Sequence, residues 1–150
     1  MKQHIDSIED LQLWVDDFLS TLVPLEKHAT IIALSGDLGA GKTALVKCAA
    51  QYYGVSEEVT SPTFVIQKEY TLPQENRFSR LVHIDAYRLN SYSELEYLKW
   101  KETVSDPQTI IFIEWPEMVK GISLPSLRSI SIDIKKGDKR VITLSDEVVY

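Results

Sequence analysis

Apolar residues recur along this chain in two rhythms, and the switches between them outline the fold. Ile8, Leu11, Val15, Phe18, Leu19 and Leu22 fall three and four residues apart, the period of a helix with one buried face. Ser7 stands at the N-cap position and Asp10 three residues later, a capping box with Asp in place of the usual Glu or Gln. Pro24 ends this helix. Residues 30–35 form a short, unbroken apolar run of strand character, and residues 44–53 form a good helix closed by Gly54. Residues 64–70 and 81–85 read as two further strands. The polar link between them contains Pro73 and Asn76 and is short for a parallel crossover, so it predicts an antiparallel pair. A short helix is expected over 93–101, and a buried strand over 109–114, between Pro107 and Pro116. Residues 129–134 and 140–144 alternate around Lys136-Gly137-Asp138, as a closing hairpin does. No repeat, low-complexity stretch or linker interrupts the pattern. It predicts one α/β domain over residues 1–150, a mixed sheet with helices packed on it.

Between the first strand and its helix lies Gly36-Asp37-Leu38-Gly39-Ala40-Gly41-Lys42-Thr43, glycine and four residues followed by Gly-Lys-Thr. That spacing is the phosphate-binding loop, and strand, loop, helix is the context it requires. Glycines let the backbone curl around an anion with N–H groups turned inward. Lys42 supplies positive charge for the β- and γ-phosphates, and the Thr43 hydroxyl is placed for Mg²⁺. The helix N-terminus faces the same phosphates.

A triphosphate site also needs a second hold on the metal and a group that orients the nucleophile. Such groups emerge at the carboxyl ends of strands in open α/β sheets, where Asp85 and Glu114 end two apolar runs. Thr60-Ser61-Pro62-Thr63 offers three hydroxyls beside a rigid proline, suited either to a loop ordered by the γ-phosphate or to a plain turn. Arg88 is a candidate cis arginine or a surface ion-pair partner. His83 is read as facing the core or a strand neighbour, away from the chemistry. Trp115 is a core anchor, a stacking plate or a partner contact. Lys135, Lys136, Lys139 and Arg140 cluster at the last hairpin, either solvated or facing a nucleotide or acidic partner.

Composition narrows the setting. The 150 residues carry a net charge of −6, which argues against a surface that grips a nucleic-acid backbone by itself. Cys48 is the single cysteine, which precludes an intrachain disulfide and reads as a small buried side chain in a reducing compartment. No signal peptide or membrane span is evident, so a cytoplasmic location is expected.

Taken together, four segments resemble one family. Gly36 to Thr43, Ser61-Pro62-Thr63-Phe64, His83-Ile84-Asp85-Ala86-Tyr87-Arg88-Leu89 and Glu114-Trp115-Pro116-Glu117 stand in the order and spacing of the TsaE (YjeE) family. These are small bacterial ATPases of threonylcarbamoyladenosine formation at position 37 of tRNA. The resemblance implies a P-loop NTPase-like three-layer α/β/α fold with a mixed central sheet, and ATP and Mg²⁺ as cofactors. It implies that Gly36, Gly39, Ala40, Gly41, Lys42, Thr43 and Ala44 wrap the phosphates and that Thr63 belongs to a switch-like loop. Thr43 and Glu114 would bind Mg²⁺, and Lys42 and Asp85 would be catalytic, Asp85 orienting or activating water. Hydrolysis would be weak alone and would serve a complex with TsaD and TsaB, touching tRNA only through them. Two departures stand out: Lys99 occupies the place of the family's Leu-Gly turn, and two residues separate Gly137 from Arg140.

A small P-loop kinase acting on a nucleotide or metabolite is the alternative, with Arg77 and Arg80 its only lid arginines. A GTP switch fits less well, because the chain has no Asn-Lys-x-Asp stretch to read guanine.

Overall fold

The computed structural model describes residues 1–62, 66–89, 94, 96, 99–118 and 127–146. Seven strands form one sheet in the order β1-β7-β6-β2-β5-β4-β3. They are β1 (Lys2–Ile5), β2 (Thr30–Ser35), β3 (Gln67–Thr71), β4 (Arg80–Asp85), β5 (Thr109–Glu114), β6 (Leu127–Ile134) and β7 (Arg140–Ser145). The central strands β6, β2, β5 and β4 run parallel, while β1, β7 and β3 pair antiparallel outside them. The sheet is therefore mixed, and the antiparallel β3–β4 and β6–β7 pairs are those expected from the short links.

Helices α1 (Ile8–Ser20) and α2 (Lys42–Tyr52) cover one face of the sheet. Ser7 caps α1 by accepting the Asp10 N–H at 3.0 Å, and the Asp10 carboxylate answers from Asp6 N at 3.1 Å. Helix α1 ends at Ser20, two residues before the apolar period runs out, because Thr21 and Leu22 turn tightly back onto Phe18 and Leu19. Leu11, Val15, Phe18 and Leu19 are buried as expected, whereas Ile8 is exposed in the first turn. Helix α2 begins at Lys42, two residues earlier than its apolar run suggests, and ends in a left-handed Gly54. There Gly54 N bonds Gln51 O and Val55 N bonds Ala50 O, the paired arrangement that satisfies the last carbonyls.

Strand pleating sorts the core. Ile32, Leu34, Ile110, Phe112, Leu81, Ile130 and Ile132 turn toward α1 and α2. Ile31, Ala33, Val82, Ile84, Ile111 and Ile113 turn the other way, onto Trp100 of a short helix, Trp100–Val104. Helices thus flank both faces, giving the three-layer α/β/α arrangement of a P-loop NTPase-like fold.

Other elements also differ from the sequence reading: β3, expected from residue 64, begins at Gln67, with Ile66 left-handed (φ 70°) just before it. Strand β1 has no apolar alternation and forms because its backbone pairs with β7. The helix expected over 93–101 falls largely outside the described residues. Within them Lys99 takes a left-handed conformation (φ 58°) and caps the separate helix Trp100–Val104.

Candidate functional site

The phosphate loop leaves the carboxyl end of β2 at the centre of the parallel strands. Gly36 lies where the loop crosses β6: a Cβ there would sit 2.6 Å from Ile132 O, and its φ is 148°. Only glycine fits that approach. Gly41, at φ 116°, is the N-cap of α2, so Lys42 and Thr43 form the first helical turn. The first N–H groups of a helix have no intrahelical acceptor and face the mouth of the loop. Arg140 Nε reaches across from β7 to Ala40 O at 3.1 Å and holds the loop from the other side. Of the basic cluster expected at the last hairpin, Arg140 turns to the loop, while Lys135, Lys136 and Lys139 are exposed.

Lys42 is buried, and its Nζ donates to Gly36 O at 2.5 Å and Asp37 O at 3.0 Å. Burial pushes its ammonium below the ordinary lysine range, against the opposing pull of the Glu114, Asp85, Glu117 and Asp37 carboxylates. The Trp115 ring lies 4.2 Å from Nζ, a cation–π contact. Trp115 is half-buried, in a left-handed conformation (φ 57°), and also packs on Tyr87 with ring centroids 5.2 Å apart.

The two acids meet at this mouth. Asp85 and Glu114 are direct Cα partners in the parallel β4–β5 ladder, and Glu114 also faces Leu34 of β2. Alternation from Leu81 and Phe112 turns both onto the α2 face. Both are buried. The Thr43 hydroxyl donates to the Glu114 carboxylate, at 3.2 Å from Oε2 and 3.4 Å from Oε1. Asp85 accepts from Tyr87 N at 3.0 Å, which fixes its rotamer over the cleft. Together with Leu38, Gly39, Gly41, Lys42, Ala44, Ser61 and Trp115 these side chains line a cleft of about 250 Å³. A second hollow of about 260 Å³ shares Gly39, Gly41 and Ala44 with it and extends to Ile8, Leu11 and Arg140.

The structure therefore brings Lys42, Thr43, Asp85 and Glu114 together at the loop. Thr63 lies outside the described residues. Arg88 is exposed and is not part of the cleft lining. His83 is buried and meets a strand neighbour, as expected, but that neighbour is Glu114: the His83 Nε2 lies 2.5 Å from Glu114 Oε2, behind the cleft, a contact with the site that sequence reasoning did not assign. Its spacing of two from Asp85, which puts both on one strand face, is the signal that would have found it.

Hard oxygen donors suit Mg²⁺, which is commonly held by one or two carboxylates together with substrate phosphates and waters. The Thr43 hydroxyl and Glu114 carboxylate, in contact across the cleft, fit that ion. Among the described residues no group of three or more His, Cys, Asp or Glu could hold a metal by itself. No helix among them is long and apolar enough to cross a membrane.

Known proteins share this sequence and shape. The family model "Threonylcarbamoyl adenosine biosynthesis protein TsaE" matches residues 9–142. A Synechocystis protein named tRNA threonylcarbamoyladenosine biosynthesis protein TsaE is 44% identical over 100 residues, 65% of this chain and 59% of that protein. Its namesake in Streptomyces coelicolor is 40% identical over 78% of this chain and 77% of its own length. That of Rickettsia bellii is 31% identical over 95% of this chain and 93% of its own length. The crystal structure of Bacillus subtilis YdiB superposes with a TM-score of 0.75 at 26% identity, covering 98% of this chain and 86% of that one. With its phosphate loop, register-paired acids and near full-length match, the chain belongs to the TsaE family of tRNA threonylcarbamoyladenosine biosynthesis.

Proposed function

We propose that this protein is a Mg²⁺-dependent ATPase that hydrolyses ATP to ADP and phosphate in the service of tRNA threonylcarbamoyladenosine formation. The observation that carries the reading is the Asp85–Glu114 register at the mouth of the phosphate loop, with Thr43 on Glu114. Lys42 and the first N–H groups of α2 would neutralise and cradle the phosphates, assisted by Gly36, Gly39, Ala40, Gly41 and Ala44. Thr43 and Glu114 would hold Mg²⁺, which supplies charge neutralisation of the β- and γ-phosphates when bound. Asp85, held by the Tyr87 N–H, would orient or activate the attacking water. The cleft is smaller than the roughly 300–1,000 Å³ of a whole-ligand pocket. It suits the phosphate chain, and the second hollow gives the base and ribose room.

Lys42 lies folded onto its own loop and under Trp115, so the site is not arranged for turnover without rearrangement. That supports slow hydrolysis by the isolated chain and acceleration within a complex with TsaB and TsaD, which would provide the contact with tRNA. The kinase alternative is weaker. Arg77 donates to Ser20 O and Leu22 O, and Arg80 pairs with Glu69 and Asp106 at the amino end of β4. Arg80 is five strand positions from Asp85, roughly 16 Å away, so it cannot serve as a lid over the loop.

Phosphate release from ATP, measured with and without Mg²⁺ and with TsaB and TsaD added, tests the reading. Hydrolysis is expected to need Mg²⁺, to rise with the partners, and to fall about 100-fold or more in Asp85→Asn and Glu114→Gln. Phosphate transferred to an acceptor other than water would favour the kinase. Intact, metal-dependent hydrolysis in Glu114→Gln would remove Glu114 from the site.

A further inference from the structure

We propose that His83 is a positioning residue that clamps the Glu114 carboxylate for the divalent cation, and so sets the affinity of the site for metal rather than for nucleotide. The inference deepens the reading above and rests on it.

Three observations carry it. His83 faces Phe112 in the β4–β5 register, which places its ring one same-face step behind Glu114. Its Nε2 is 2.5 Å from Glu114 Oε2, with the imidazole fully buried and Glu114 3% exposed. A carboxylate only accepts, so Nε2 carries the hydrogen and donates it. The second ring nitrogen, Nδ1, is buried and has no hydrogen-bond partner among the described residues. The imidazole thus spends its one satisfied polar atom on Glu114.

Its effect follows from the geometry. Glu114 is gripped behind by His83 and met in front by the Thr43 hydroxyl, so its carboxylate plane is fixed at two points. Without the rear contact, a buried carboxylate would turn toward whatever donor the cleft offers, Lys42 included. Groups that hydrogen-bond a metal-binding carboxylate tune affinity in this way, and losing one typically weakens metal binding about 10- to 100-fold. The phosphates are held from the opposite side, by the loop and Lys42, which His83 does not touch.

The test uses the purified chain, a non-hydrolysable ATP analogue and calorimetric titration over a Mg²⁺ series and in EDTA. In His83→Leu the Mg²⁺ concentration for half-maximal enhancement of nucleotide binding should rise about 10- to 100-fold. Metal-free nucleotide affinity should change by no more than about threefold, and His83→Gln, which keeps a donor at similar reach, should restore most of the metal response. Should His83→Leu fail to fold, His83→Asn, polar but too short to reach Glu114, takes its place against His83→Gln. An unchanged Mg²⁺ dependence in a folded donor-less variant, or equal loss in His83→Gln, would overturn the proposal. Wild-type nucleotide affinity indifferent to Mg²⁺ would overturn the proposed function itself, a distinct result visible before any variant is made.

Discussion

Strands β4 and β5 carry charge at both ends, and the two ends treat it differently. At the amino end Arg80 spreads its guanidinium over Glu69, Asp106 and the Thr109 hydroxyl, at 3.2–3.5 Å, with its side chain about a third exposed. At the carboxyl end Asp85, Glu114, His83 and Lys42 are all buried. There the lysine is pressed onto backbone carbonyls and the acids onto a hydroxyl, a ring nitrogen and an N–H. Ion pairs in solvent contribute little and ask little of their surroundings. Buried charges cost several kcal/mol unless fully hydrogen-bonded, and they stay only where the fold over-determines them. The same two strands therefore close one end of the sheet cheaply and hold the other ready to receive an anion and a cation.

Substitutions at the carboxyl end should therefore damage function, and those at the amino end should not. Lys42→Ala should lower turnover by about 100- to 1,000-fold, as loss of a group aimed at developing phosphate charge does. Labelled-nucleotide binding and phosphate release measured together would separate lost affinity from lost chemistry. Gly36→Ala should cost about 2–4 kcal/mol of folding stability, because its Cβ would drive into Ile132 O from a backbone conformation that favours glycine. Denaturant unfolding would read that loss, and a variant of wild-type stability would show that the loop does not press on β6.

Cys48 probes the packing beneath the loop, on α2. Burial, then the Asp16 carboxylate, pushes its thiol up to about 11 from the ordinary 9.0. At pH 8 its thiolate fraction should then be about 100-fold below that of a free cysteine, with alkylation of the native chain slowed to match. The folded chain keeps the thiol proton that the unfolded chain releases, so this group's contribution to stability is whole below pH 9 and falls as pH rises through about 11. Cys48→Ala should remove that alkaline slope. Arg80→Ala should cost no more than about 1 kcal/mol and leave turnover within about twofold of wild type. A large loss of activity there would erase the distinction between the two ends.

Much of the site was legible because its chemistry is written in fixed spacings. The loop residues are contiguous, and Asp85 and Glu114 end apolar runs, so strand period alone delivers them to one edge. What escaped depends on contacts distant in sequence. Strand β1, Lys-Gln-His-Ile, has no pattern of its own and exists through pairing with β7, well over a hundred residues away. His83 resembled a core histidine: its spacing from Asp85 puts it on the same strand face, but only the pairing of β4 with β5 shows that Glu114 lies beside it. Lys99 took the left-handed turn that a glycine would have announced, since the chain must turn there whatever residue occupies it. Arg77 closes the end of α1 through the carbonyls of Ser20 and Leu22, a use no motif encodes.

Trp115 also makes the protein its own optical gauge. Its backbone N–H is fixed to Leu34 O at 3.3 Å and its ring rests against the Lys42 ammonium. An incoming anion that draws that cation away alters the electric field across the indole, and emission should shift before any bond breaks. The other two indoles, Trp14 stacked on Phe18 and Trp100 buried on the far face of the sheet, stay as an internal constant. Occupancy of the loop could then be followed by light alone, with no label attached to ligand or chain.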